Sequence, residues 1–281
     1  MQRMTRALRW VFDHVSWQPT QDEFVQAMAR IQPEERRRVM QFVFQKDVKP
    51  ALVGRLMLRS CAAQIFRFKN NDIVLTRTEK GKPILQSIVA EPFDFNVSHH
   101  GSLVTLACDS CIKIGIDIMK IEDNENIDYY FKLMNRIFSD KEWSYIKDGA
   151  VFDGSRSSLA QMRRFLRLWS LKESYFKAEG MGITTDLRSI EFNCKSDLQT
   201  GVTTEDTEVV VEGKLISCVF QETILQDHCI AVCLFGESNS KAAQFEKVSF
   251  QRLISLLEPL NDADDNHVQW QVYDSKLYSP Q

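Results

Sequence analysis

Two acidic residues stand where a carboxylate is costly. Asp117 closes an apolar run in which Ile112, Ile114, Ile116 and Ile118 alternate with Lys113, Gly115 and Asp117. That period of two predicts a strand with a buried face, with Asp117 fixed near its end. Glu173 lies in the run Trp169–Lys177, on a predicted helix whose every-fourth-residue stripe reads Phe165, Trp169, Glu173, Lys177. Two aromatic residues lead into a carboxylate and an amine on one face. Asp and Glu are seldom fully buried unless they are paired or bind a metal. Two oxygen ligands on rigid elements, with lysines nearby, suit Mg²⁺ held against a substrate phosphate. Plainer readings stand beside this one: Asp117 facing water at a strand end, and Glu173 with Lys177 as a surface ion pair.

Around these residues the chain alternates helices with mostly antiparallel strands, a mixed α+β pattern. A strand is expected near 7–13. A helix opens at Pro33 and runs through Arg36, Arg37 and Arg38 to Phe42–Phe44. A second, 48–66, is expected with Asp47 as its cap, Leu52, Leu56 and Ala63 inward, and Arg55 and Arg59 one turn apart. Residues 73–77 read as a short strand and Lys80–Pro83 as a turn. Strands Phe93–Val97 and Leu103–Cys108 flank Ser98–Gly101, and 112–118 is a further strand. Helices are expected at Tyr129–Ile137, after the capping-box pattern Ser139–Glu142, and at 161–179, where Gly180 ends it. Residues 150–158 read as a loop. Strands follow at 188–193, 208–220 and 229–235. His100 and His228 each precede a late apolar strand, a faint echo of two similar halves with a ligand cleft between them.

The length, 281 residues, suggests about two domains, and the net charge of -3 argues against a dedicated nucleic-acid binder. Residues 237–281 hold seven acids and four bases, hence the whole net charge, and read as an acidic polar tail of unknown order with a short helix at Leu253–Leu260. The seven cysteines are irregularly spaced in apolar surroundings, which fits free thiols in a reducing compartment. Cys108 and Cys111 form a lone CxxC; with His99 and His100 a zinc site is conceivable. No apolar stretch reaches membrane-spanning length. Arg3, Arg6 and Arg9 are compatible with a mitochondrial presequence, but Leu8–Phe12 also reads as the first strand, and the cytosol is the expected compartment.

Gly115–Asp117 followed by Trp169–Lys177 resembles the signature of the 4′-phosphopantetheinyl transferases, in their large surfactin-type branch. Gln32–Glu35, Gly54–Arg59, Lys80–Leu85, Phe95–His99 and Gly115–Lys120 extend the likeness in order, over roughly residues 8–236. The resemblance implies a pseudo-duplicated α+β fold with an N-terminal half (1–111) carrying nucleotide-binding elements. A C-terminal half (112–236) would carry the metal and catalytic elements, with the active site in the cleft between them. It implies Mg²⁺-dependent transfer of 4′-phosphopantetheine from coenzyme A, the co-substrate, to a serine of acyl or peptidyl carrier proteins, releasing 3′,5′-ADP. The implied partners are apo carrier proteins and carrier domains: those of fatty acid synthase, a mitochondrial-type carrier protein and an aminoadipate-reductase-like domain. Nucleic acid and membrane are not expected partners, and a monomer is expected.

The same resemblance assigns roles. Asp117 and Glu173 match the metal ligands, and Glu173 is the candidate to accept the serine proton. Lys177 matches the lysine that meets the pyrophosphate. Arg38, the segment Arg77, Thr78, Glu79, Lys80, Gly81 and Lys82, the element Asn96, Val97, Ser98 and His99, and Glu173, Ser174, Tyr175, Phe176 and Lys177 match coenzyme A-binding positions. Plainer alternatives are a solvated Arg38, an ordinary hairpin turn at 80–83 and a structural His99. Many relatives carry a third acid where this chain has Met119, a poor Mg²⁺ ligand whose place water would fill. Two further readings are a catalytically idle scaffold that binds coenzyme A or carrier proteins, and a Mg²⁺-dependent phosphohydrolase.

Overall fold

The computed structural model describes residues 7–87, 92–110, 113–149, 157–180, 186–236, 244–260 and 266–279. The first half runs β1 (Leu8–Asp13), α1 (Gln21–Ala29), α2 (Pro33–Met40), α3 (Gln45–Phe66), β2 (Leu75–Arg77), β3 (Pro83–Leu85), β4 (Asp94–His100) and β5 (Leu103–Asp109). The second runs β6 (Lys113–Lys120), α4 (Ile127–Leu133), α5 (Asp140–Asp148), α6 (Ser158–Glu179), β7 (Ile190–Asn193), β8 (Glu208–Val211), β9 (Lys214–Leu215), β10 (Val219–Leu225) and β11 (His228–Phe235). β12 (Glu246–Lys247), α7 (Phe250–Ser255) and α8 (Asn266–Asp274) follow.

The halves share one topology. One sheet has the order β12-β1-β5-β4 and the other β10-β11-β6. Each half thus presents a strand, then a 22-residue helix, then an antiparallel hairpin whose second strand returns beside the first. The alternation on β6 explains how they meet. Ile114, Ile116 and Ile118 join Val11, Leu103, Ala107, Ile230, Val232 and Leu234 in a dry cluster shared by the two sheets. The opposite face of β6, with Gly115, Asp117 and Met119, turns toward α6. At Gly115 that helix comes so close that a Cβ would lie 2.0 Å from the Ser174 carbonyl oxygen and 2.4 Å from the Ala178 nitrogen.

β6 is joined to β4 by side chains instead of a backbone ladder. Asp94 Oδ2 accepts from Ile114 N at 2.8 Å, Asn96 Oδ1 from Ile116 N at 3.0 Å and His100 Nδ1 from Lys120 N at 2.9 Å. Across the other seam, Arg9 of β1 donates to Gln221 Oε1 of β10 at 3.0 and 2.8 Å.

Several expectations are corrected. The first-half helix from Pro33 stops at Met40, short of Phe44. Asp47 does not cap α3; it lies in its first turn. The free N–H groups of Gln45 and Lys46 meet the carbonyls of Leu277 and Tyr278 at 2.9 and 3.3 Å. Ser98, His99 and His100 belong to β4, and the turn falls at Gly101, whose φ of 59° suits glycine. Residues 237–281 are not a loose tail where they are described. β12 pairs with β1, and Val248, Phe250, Leu253, Leu257 and Tyr273 are buried in the first-half core. α1 went unread, although Thr20 and Glu23 form a capping box. Ile112, Cys111 and the loop residues 150–156 lie outside the described residues.

Gly115→Ala should displace α6 from β6. The expected loss is at least about 2 kcal/mol, because a backbone contact cannot yield as a side chain can. Denaturant unfolding measures it, and an unchanged midpoint with an unchanged slope would show that the helix does not rest on that strand.

Candidate active site

A cleft of ≈360 Å³ opens between the two halves, lined from the first by Gly54, Arg55 and Leu58 of α3, Arg77, Lys80, Gly81, Lys82 and Pro83 around the β2–β3 turn, and Asn96, Val97 and His99 of β4. Glu173, Phe176, Lys177 and Gly180 of α6 close it from the second. A larger hollow of ≈650 Å³ lies on the second half, lined mainly by α4 and α5, but it holds neither carboxylate of the pair.

Asp117 sits beneath this cleft in the middle of β6, 5% exposed, rather than at a strand end. Its Oδ1 accepts from Lys177 Nζ at 2.6 Å and from Ser98 Oγ at 3.0 Å. Lys177 Nζ also reaches Ser98 Oγ at 3.0 Å. Asp117 Oδ2 is buried without a hydrogen-bond partner. An orphaned carboxylate oxygen in the interior is costly unless a cation or donor completes it.

Glu173 is half-buried and, among the described residues, has no ion pair; Lys177 has turned to Asp117 instead of forming the surface i,i+4 bridge of the plainer reading. Burial first, then the neighbouring Asp117 charge, raises the Glu173 pKa, and Lys177 offsets part of this. His99 stands open at the cleft rim, yet desolvation by its surroundings and the charges of Lys177 and Arg55 hold its pKa below the ordinary value. It is therefore a neutral hydrogen-bonding group at neutral pH.

The basic wall is organised by Glu35. Arg77 grips its carboxylate through Nε at 2.8 Å and Nη2 at 2.7 Å, Arg55 Nε donates at 2.8 Å, and Arg38 Nη1 lies 3.8 Å away. Burial alone would raise the Glu35 pKa; the Arg77 hydrogen bonds and the Arg55 and Arg77 charges instead hold it at about 2. Lys82 Nζ spans Asp94 Oδ2 at 2.5 Å and the Ile114 carbonyl at 3.0 Å, which fastens the turn to the β4–β6 seam. Gly81 has φ 87°, and the turn closes through Thr78.

Most of the expected site residues gather here. Arg38 does not line the cleft; its side chain is 53% exposed and reaches it only through Glu35. Thr78 and Glu79 belong to the turn without facing the cavity. Ser174 and Tyr175 do not line the cleft either. Ser174 Oγ donates to the Leu171 carbonyl within α6, and Tyr175 packs against Phe176 and Phe235 in the second-half core. Arg55, Gly54, Leu58, Pro83 and Gly180 were missed. Arg55 had a signal, a charge on a helix otherwise packed inward, but its target Glu35 is 20 residues away.

Among the described residues no three His, Cys, Asp or Glu are grouped for a metal. Met119 is partly buried and packs against the second-half core. The described cysteines form no disulfide among themselves, and burial pushes Cys194 and Cys229 up to about 12. Among the described residues no helix is long and apolar enough to cross a membrane.

The family model described as "4'-phosphopantetheinyl transferase, N-terminal" matches residues 15–111, and that described as "4'-phosphopantetheinyl transferase superfamily" matches 113–233. The L-aminoadipate-semialdehyde dehydrogenase-phosphopantetheinyl transferase of Pongo abelii is 34% identical over 278 residues, spanning 92% of this chain and 88% of its own. The Xenopus laevis protein of the same name is 32% identical over 292 residues, 98% of this chain and 94% of its own. The 4'-phosphopantetheinyl transferase Sfp of Bacillus subtilis is 30% identical over 67% of this chain and 77% of its own.

Glu35 also gives the cleft an acid-sensitive wall. Its folded pKa, about 2, lies below the ordinary 4.5, so the folded state favours the carboxylate. That stability is fully present above pH 4.5 and is lost as pH falls toward 2. Glu35→Gln should cost about 2–3 kcal/mol at pH 7, and the difference from the parent should shrink across that window. Unfolding measured against pH tests this; a difference that stays constant down to pH 2 would contradict it.

Proposed function

This chain belongs to the 4′-phosphopantetheinyl transferase superfamily and is an enzyme of that kind, and from that premise we propose the chemistry of its cleft. Its co-substrate is coenzyme A, its acceptor a serine hydroxyl of an apo carrier protein or carrier domain, and its second product 3′,5′-ADP. The observation that carries this is the convergence of cations from one half with Glu173 and Lys177 from the other, above the orphaned oxygen of Asp117.

Arg55, Arg77, Lys80 and Lys82 supply positive charge where the phosphates of coenzyme A would enter, with Gly81 allowing close backbone approach. Leu58, Val97 and Phe176 give the pantetheine arm an apolar wall. His99, neutral, donates a hydrogen bond to a phosphate oxygen. Glu173, with its raised pKa, is suited to take the serine proton. The serine oxygen then bonds to the β-phosphorus, the bond to the bridging oxygen breaks, and that oxygen leaves on 3′,5′-ADP with the electron pair. Lys177 sets a positive charge beside the group on which negative charge grows.

The donor set fits Mg²⁺. Asp117 and Glu173 are two hard oxygen ligands, one with an unpartnered buried oxygen, the other desolvated beside it. Bound there, Mg²⁺ would neutralise the pyrophosphate and polarise the phosphorus under attack. Met119 packs partly against the second-half core, which supports reading it as a space-filling residue over the idle-scaffold alternative. Mostly buried cysteines without disulfides fit a reducing compartment such as the cytosol. The homologues named for L-aminoadipate-semialdehyde dehydrogenase point to an aminoadipate-reductase-type carrier domain as one acceptor.

Intact-mass analysis of an apo carrier protein incubated with coenzyme A, Mg²⁺ and this enzyme tests the reading. The acceptor should gain one phosphopantetheine, and 3′,5′-ADP should form only when carrier is present. Product formed without carrier would indicate the phosphohydrolase instead. Asp117→Ala and Glu173→Ala should each slow transfer by on the order of a thousandfold with the fold retained. Near-normal turnover in either folded variant refutes the pair. Met119→Glu should lower the melting temperature, because an acid enters an apolar cluster at a cost of about 1–3 kcal/mol. The Mg²⁺ needed for half-maximal rate should stay the same, and a lower requirement would place residue 119 in the metal shell.

A further inference from the structure

We propose that Glu35 is a positioning residue for coenzyme A, tying α2, α3 and the β2–β3 turn into one anion-holding wall. The proposal rests on the reading of the cleft given above. Three arginines from three elements are set against the Glu35 carboxylate: Arg38 on α2, Arg55 on α3 and Arg77 on β2. Its side chain is 12% exposed. Both of its oxygens are engaged by Arg77, and one is shared with Arg55. Arg77 Nη1 then reaches the Gly81 carbonyl at 2.9 Å, so the hold on Glu35 passes directly into the turn that forms one lip of the cleft. Arg55 Nη1 reaches the Ala51 carbonyl at 3.0 Å, which locks its other end to α3.

The wall would not stand without the carboxylate. The Arg77 and Arg38 charges act unfavourably on Arg55, and Glu35 is the counter-charge that opposes them. Three guanidinium groups on one carboxylate leave an excess of two positive charges, held in place before any ligand arrives. Removing Glu35 adds to the long-range attraction for an anion. It also frees two planar forks that were fixed by bidentate and shared hydrogen bonds, and lets Gly81 drift with Arg77. Held geometry contributes more than one screened charge at this distance, so binding should weaken.

The test is titration calorimetry of coenzyme A into the full chain, alongside kcat and KM for transfer. Glu35→Gln should weaken coenzyme A binding about tenfold and raise KM by a like factor, with kcat at saturation within about twofold of the parent. Glu35→Asp, which keeps the charge but shortens the reach, should fall between the two. In the double variant Glu35→Gln/Arg77→Ala, the effects should be clearly less than additive, because Glu35 acts through Arg77. A folded Glu35→Gln protein with equal or tighter affinity, or additive effects in the double variant, overturns the proposal. If the Gln variant does not fold, unchanged affinity in Glu35→Asp overturns it equally. A parent chain that takes up no coenzyme A refutes the underlying reading and this proposal together; a parent that binds beside unaffected variants removes only the role of Glu35.

Discussion

The structure depends on how one strand is shared between two halves. β6 gives one edge to β11 in a regular ladder, and its other edge meets β4. There the N–H groups of Ile114, Ile116 and Lys120 are received by Asp94, Asn96 and His100 side chains. Each such bond contributes only about 1 kcal/mol net, but an unmet buried N–H costs about 1–3 kcal/mol. The seam is therefore selective: it closes only when polar side chains stand at alternate positions of β4. Those positions also fix the chemistry. Ser98 belongs to the same series and holds Asp117, and Lys82 ties the cleft turn to Asp94.

Gly115 explains why the second carboxylate arrives at the right place. Without a side chain there, α6 settles onto β6 with Ser174 and Ala178 almost touching the strand. Ser174 and Tyr175, which the motif includes beside Glu173, thereby become packing residues. Glu173 and Lys177, on the adjoining face, are left toward the cleft. Lys172, next to Glu173 in the chain, turns the opposite way. It forms a fully buried pair with Glu142 at 3.0 Å and caps the carbonyls of Leu187 and Ile190. Neighbours in a motif thus serve opposite sides of one helix.

What the sequence made legible was periodic or local. The isoleucine alternation located β6 and its faces, Gly180 located the end of α6 with φ 67°, and Ser139 with Glu142 located a capping box. What it hid was tertiary. The start of α3 is completed by carbonyls more than two hundred residues downstream, so a local acid, Asp47, was a natural but mistaken cap. The final segment is acidic on average, yet Phe250, Leu253 and Leu257 are spaced to bury one face and Tyr273 of α8 joins the same core, and averaging the charge concealed them. Lys177 prefers the buried Asp117 over Glu173, one turn away, because a charge pair away from water is stronger than one on a helix surface.

The shared topology of the halves gives the fold two equivalent seams with different contents. β1 corresponds to β6 and β10 to β4, so the seam between β1 and β10 is the counterpart of the one that carries the site. There the place of the chemistry is filled by Arg9. Its guanidinium is fully buried, bonded to Gln221 across the seam and to Asp109 and the Cys108 carbonyl on its own side. The Arg9 charge at that seam is answered within the protein. At the β4–β6 seam, among the described residues, Asp117 keeps one oxygen unanswered and Glu173 has no cation of its own. The two seams of a duplicated framework thus differ: one pairs the buried guanidinium of Arg9 within the protein, while beside the other Asp117 Oδ2 is left unpartnered, and the proposed chemistry rests on that asymmetry.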